Sequence, residues 1–172
     1  MLYFDARLSD HVPTLEVRVA DVCQSDEQAA VIAGLLRALV ETAVRDWQAG
    51  HLVMSVPAAV LRTWMWQASS SGVDADLIDP LTGTPAAAAV VVGRLLDTVR
   101  AVLDEYEETG RVEEILAEIL SAGSGARPQR EVHQTTSDVA AIVRRALEAT
   151  HASSREGAAL RSAVAARGLR AL

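Results

Sequence analysis

Glu16 and Arg18 stand two residues apart in the stretch "VPTLEVRVADVC", Val12 to Cys23. On a β-strand that spacing puts both side chains on one face, with their Cα atoms about 6.5–7 Å apart. A carboxylate so placed can hold a hard cation such as Mg²⁺, and the neighbouring guanidinium can take a phosphate or carboxylate oxygen in fork geometry. Phosphoryl-transfer chemistry uses that pair of charges. An intrastrand or cross-strand ion pair on a solvated sheet face satisfies the same spacing, and periodicity alone favours this plainer reading. Tyr3, Asp5 and Arg7 alternate onto one face in the same way. If the two faces coincide, Asp5, Arg7, Glu16 and Arg18 converge on one patch of sheet. A further candidate is "GSGARPQR", whose small residues permit close backbone approach and whose Arg127 and Arg130 could meet an anion. Its alternative is a helix C-cap followed by exposed arginines.

These residues depend on the elements that carry them. Leu2 to Arg7 and Thr14 to Asp21 alternate in the strand manner, and "LSDHVP" between them holds turn-forming residues, which predicts an antiparallel pair. Leu15, Val17 and Val19 then share the face opposite Glu16 and Arg18. Two strands alone are marginal in water, so the pair must rest on helices or join a larger sheet. Ser25 and Gln28 form a capping-box pattern ahead of a helix whose apolar stripe is Ile32, Leu36, Leu39, Val40, Ala43 and Trp47, with Gly50 to stop it. A second helix is expected from Pro57 to Gly72, with Trp64 and Trp66 as packing residues. "GVDADLIDPLTGTP" reads as a turn-rich connection, with Thr84 capping a long helix from Pro85 to about Glu108 that turns Leu95, Val99, Val102 and Leu103 inward. Gly110 separates it from a helix carrying Val112, Ile115, Leu116, Ile119 and Leu120. "SAGSGARPQREVH" reads as a loop, and Ser137 caps one more helix from Asp138 to about Thr150.

Composition narrows the classes of function. The chain has 172 residues, half of them apolar, enough for one domain with a real core. Its net charge of −7 argues against general binding to a nucleic-acid backbone. All sixteen basic residues are Arg, most of them read as solvated helix-face residues. The longest apolar run, "AAAAVVV", is far short of the roughly 18–20 residues that cross a bilayer. With a single cysteine, Cys23, and no secretory leader, a reducing cytoplasmic setting is expected. The sequence has no P-loop, G-x-S-x-G or H-E-x-x-H motif, and His11, His51, His133 and His151 lack ligand spacing.

Taken in order, "YFDARLSDHVPTLEVRVADVC", the helix after it, "GVDADLIDPLTGTP" and "GSGARPQR" resemble the C-terminal part of the carboxylate-amine ligases related to glutamate-cysteine ligase (the glutamate-cysteine ligase 2 group), from Leu2 to about Thr150. Ser70 and Ser71 depart from the pattern, standing where relatives often have an Arg and a further polar or aromatic residue. The resemblance implies an ATP-dependent ligase that phosphorylates the γ-carboxylate of glutamate with Mg-ATP and passes the acyl group to an amine such as cysteine. It also implies a fold like that of glutamine synthetase, whose curved antiparallel sheet floors the active site with helices behind. Glutamine synthetases have a Glu-x-Arg strand of their own. By that resemblance Glu16 is a Mg²⁺ ligand and Arg18 the catalytic contact to the acyl phosphate or substrate carboxylate. Arg7, Arg127 and Arg130 become substrate-binding contacts.

The expected class is therefore α+β and predominantly helical, one antiparallel strand pair packed on a helical bundle, as in the C-terminal half of a glutamine-synthetase-like ligase. Residues 1–150 form the C-terminal portion of the catalytic domain, and 151–172 a basic helical or disordered tail. The expected cosubstrate and cofactor are ATP and Mg²⁺, and the expected partners are glutamate and an amine acceptor, with no nucleic acid and no membrane. The chain begins where the family's later active-site strands begin. The expected partner is a homo-oligomer or a separate N-terminal ligase half, the latter carrying the missing part of the site, and no ligase activity is expected of the chain alone. The contrasting reading is a non-catalytic helical interaction module that keeps the ligase framework.

Overall fold

A hairpin opens the computed structural model, which describes residues 6–23 and 25–151. Tyr3, Asp5 and the basic tail from residue 152 onward lie outside the described residues. Strand β1 (Ala6–Leu8) pairs antiparallel with β2 (Leu15–Val17), in the register Ala6 to Val17, Arg7 to Glu16 and Leu8 to Leu15. The Ser9 N–H donates to the Thr14 carbonyl at 2.9 Å, closing the turn one pair beyond the strands. Strand β2 is shorter than its alternation suggests, three residues in place of the expected Thr14 to Asp21.

The chain divides into two units, the first comprising Met1–Val22 and Ala30–Ser124, the second Cys23–Ala29 and Gly125–Leu172. In the first unit the long helix α1 (Asp26–Gln48), from residue 30 onward, packs with α3 (Ala88–Glu105) and α4 (Thr109–Ala122). Their shared core is Val31, Leu35 and Ala38 from α1, Val99, Val102 and Leu103 from α3, and Val112 and Ile115 from α4. Leu39, Leu95, Leu96, Leu116 and Ile119 pack around it. The inward faces of α3 and α4 are as their periodicity predicts. On α1 the buried line is 31, 35 and 38, adjacent to the expected stripe, because this helix is apolar on two sides. Leu36 and Val40 instead face the hairpin, and Trp47 is exposed.

Helix α2 (Ala58–Ser71) ends as expected at Gly72, which adopts a positive φ of 56° and opens a 3-10 turn (Gly72–Asp74). A Cβ there would also lie 3.3 Å from Ser124 Cβ. Gly72→Ala is therefore expected to destabilise the protein by about 1–2 kcal/mol, measured by urea unfolding. Trp64 is half-buried, but Trp66 is exposed on the opposite side of α2 and is not a packing residue.

Five further expectations are corrected. The stretch read as a turn-rich connection contains a second hairpin, β3 (Leu77–Asp79) with β4 (Thr84–Ala86), so the described residues hold two strand pairs rather than one. Its three-residue strands are too short to show alternation, and their Asp, Pro and Thr residues mask them. Thr84 accordingly lies in β4, and α3 starts three residues after Pro85 with Ala87 at its N-cap. The break before α4 falls at Glu107, at φ 59°, with Gly110 inside the first turn of α4. The stretch "SAGSGARPQREVH" is mostly helix: α4 stops at Gly123 in the first unit, and α5 (Ala126–Thr136), in the second, starts three residues later. Pro128 falls in the first turn of α5, where its missing N–H costs nothing. Residues 139–151 are helical as predicted, but the capping atom is Asp138 Oδ1, which accepts the Ala140 N–H at 2.8 Å. No helix among the described residues is long and apolar enough to cross a membrane.

Candidate functional site

The β1–β2 hairpin has two chemically different faces, as strand alternation requires. Leu15 and Val17 look toward α1, where with Ala33, Leu36, Arg37, Val40 and Glu41 they line an open groove of about 520 Å³. On the other face the direct register of Arg7 and Glu16 brings their side chains together. Arg7 Nε donates to Glu16 Oε2 at 2.8 Å, and Arg18 Nη2 donates to the same oxygen at 3.2 Å. Three of the predicted site residues thus meet on one partly exposed patch. The Arg7 hydrogen bond holds the Glu16 carboxyl below the usual carboxylate range, against partial desolvation, with Arg18 acting in the same direction. The Glu16 carboxylate correspondingly raises Arg7.

The three groups sum to a charge of +1, so the patch suits an anion with several oxygens. Two guanidiniums can each offer parallel N–H donors to a phosphate or carboxylate. Mg²⁺ bound to nucleotide phosphates takes few protein ligands, and the single carboxylate of Glu16 is chemically suitable as one of them. Among the described residues no three His, Cys, Asp or Glu side chains cluster in metal-binding fashion. Arg127 and Arg130 belong to the second unit, three residues apart near the start of α5 and so on neighbouring positions of its surface. All four histidines are exposed, and His51 Nδ1 lies 2.9 Å from Asp46 Oδ1.

A second polar centre, unnoticed in the sequence, lies at the β3–β4 turn. Asp79 is only 2% exposed. Its Oδ1 accepts the Leu81 N–H at 3.0 Å, and its Oδ2 accepts the Thr82 hydroxyl at 3.2 Å and the Arg94 guanidinium from α3. Burial alone would push this carboxyl up; the Leu81 N–H, then Arg94 and Thr82, more than offset it and leave Asp79 below the usual range. Every one of its partners is internal, so the centre ties a turn to a helix. The Asp-Pro-x-Thr-Gly pattern was the signal that could have found it, since Asp followed by Thr and Gly often closes its own turn. A third network links α1 to the end of α3. Arg45 pairs with Glu105 and Glu41, the Tyr106 hydroxyl donates to Glu41, and Arg37 pairs with Glu108 and lies over the Tyr106 ring.

Comparison with known proteins places these features in context. The profile of "Glutamate-cysteine ligase family 2" matches residues 1–149. A protein of Paenarthrobacter aurescens named "Putative glutamate-cysteine ligase 2-3" is 48% identical over 131 residues, which cover 76% of this chain and 31% of that relative. One of Streptomyces avermitilis, "Putative glutamate-cysteine ligase 2-1", is 43% identical over 136 residues, covering 79% and 38%. One of Streptomyces coelicolor, "Putative glutamate-cysteine ligase 2", is 39% identical over 153 residues, covering 89% and 42%. The chain thus spans about a third of the length of the curated relatives it matches. No solved structure matches the chain significantly.

Proposed function

Because the chain belongs to glutamate-cysteine ligase family 2, we propose that the Arg7–Glu16–Arg18 face is part of the catalytic floor of an ATP-dependent carboxylate-amine ligase. The observation that carries this reading is the convergence of Arg7 and Arg18 on one oxygen of Glu16, on the hairpin face turned away from the apolar groove. In the proposed reaction the γ-carboxylate of glutamate attacks the γ-phosphorus of ATP, and ADP leaves. The amine, cysteine in the reference case, then attacks the acyl carbon, expelling phosphate and losing a proton. Arg18 binds the substrate carboxylate and remains against the phosphorylated acyl group, where its fixed positive charge opposes the charge that develops in transfer. Arg7 supplies a second anion contact from the neighbouring strand. Glu16 positions both guanidiniums and offers one oxygen to Mg²⁺, which when bound neutralises phosphate charge. Arg127 and Arg130 are proposed as further anion contacts at the start of α5.

One sheet face with a single carboxylate does not make a whole ligase site, so we place the remaining groups in protein outside this chain. The isolated chain is expected to give no ADP release with Mg-ATP, glutamate and cysteine; robust turnover would overturn the incompleteness. In a complex reconstituted with the rest of a family ligase, Arg18→Ala is expected to lower kcat/KM by about tenfold or more, the scale of one charge-assisted contact to a reacting group. The contrasting reading, a non-catalytic module that associates through apolar surface, is favoured by the exposure of Leu52, Val53 and Trp66. Full activity of that complex in both Glu16→Ala and Arg18→Ala would decide for it.

A further inference from the structure

In the second unit one helix keeps an apolar line on its surface. Residues 139–151 are helical, with Ile142, Ala146 and Ala149 half-buried on one side. Beside them Val139 is 67% exposed, and Val143 and Leu147 are each 54% exposed. These three recur every four positions, so they form one continuous line along the helix. Single exposed aliphatic residues need no cover, whereas a line of them at helical spacing is the kind of seam along which two helices pack. The family match ends at residue 149, and residues 152–172, outside the described residues, follow the helix without a break.

We propose that residues 158–172 fold back as the second arm of a helical hairpin and cover the Val139–Val143–Leu147 line with Leu160 and Val164. The spacing of the two segments supports this register. Leu160 and Val164 are four positions apart, as are the residues they meet, and the pairs Leu147 with Leu160 and Val143 with Val164 are both centred on Ser153–Ser154. Ala152 to Glu156 then form the connection, of a length that antiparallel helices use. Gly168 falls opposite Val139, where a residue without a side chain lets the two arms approach. The segment is rich in Ala and so inclined to helix, but a helix of about 15 residues is marginal in water without an apolar face to rest on. Its short tether holds it beside the line at an effective concentration of roughly millimolar. A second copy fits less well, because three partly exposed aliphatic side chains fall far short of the ~800 Å² per partner that a stable dimer buries.

Hydrogen exchange of the full chain, read by mass spectrometry, tests the hairpin against a synthetic peptide of residues 152–172. The amides of residues 160–168 are expected to exchange at least about tenfold more slowly in the chain than in the peptide. Val143→Asp, which charges the middle of the line, and Leu160→Asp, which alters the tail alone, should each return them to the rate of the peptide. The second substitution keeps the test decisive if the first disturbs the helix itself. Exchange as fast in the unchanged chain as in the peptide, or slow exchange that survives either substitution, would overturn the proposal. So would protection that vanishes on dilution while sedimentation shows a dimer, since the line would then be covered by a second copy.

Discussion

Leu103→Ala is expected to lower stability by about 2–5 kcal/mol, the cost of removing a large apolar side chain from a fully packed site. Leu103 has no exposure at all and sits among Val99, Val102 and Ile115, where three helices meet. The small residue facing this core, Ala38 on α1, is also fully buried, so the helices already approach closely and have little freedom to collapse into a void. Urea unfolding should show a lower midpoint with an unchanged slope. The internal control is Leu81→Ala, the same chemical change at a residue 70% exposed, which should be nearly silent. Equal losses in the two variants would show that Leu103 is not in the core.

Arg94→Met should be the most damaging substitution of a charged residue in the first unit. It removes the guanidinium but keeps the aliphatic stem, leaving the buried Asp79 with the Leu81 N–H and the Thr82 hydroxyl as its remaining partners. A buried carboxylate stripped of its counter-charge is strongly destabilising, and a drop in Tm of roughly 5–10 °C is expected. The pH dependence gives an independent check. Asp79 is held below its ordinary value in the folded protein. It therefore contributes stability that is fully present above the unfolded-state pKa of about 4 and is lost as pH falls through the lower folded value. Without Arg94 the folded value rises, the contribution shrinks, and acid unfolding followed by circular dichroism should begin at higher pH. By contrast, Arg45→Ala breaks exposed pairs with Glu41 and Glu105 and should shift Tm little, and less still at high salt. An acid transition unchanged by Arg94→Met would mean that this pair does not hold the turn.

The candidate site was legible to different depths. Alternation placed Glu16 and Arg18 on one face, and the hairpin bears that out. That Arg7 belongs with them needed the register, because a one-residue slip would have sent its side chain to the groove side. Asp79 escaped notice because a carboxylate in a Pro- and Gly-rich stretch looks like surface, and only the approach of α3 buries it. Helix α5 escaped because Gly123 and Gly125 suggested a longer loop, whereas a single glycine at φ 85° suffices to stop α4.

Sequence by itself determined the helical segments, the inward faces of α3 and α4, the two-faced second strand and membership of the family, since each rests on local periodicity or on residues in order. Tertiary structure alone decided which side of α1 is core, which turn carries a buried charge, and that both arginines share one carboxylate oxygen. The physical reason is that burial and pairing are properties of what lies opposite. A helix apolar on two sides, or an Asp among turn residues, takes its role only when a distant segment packs against it.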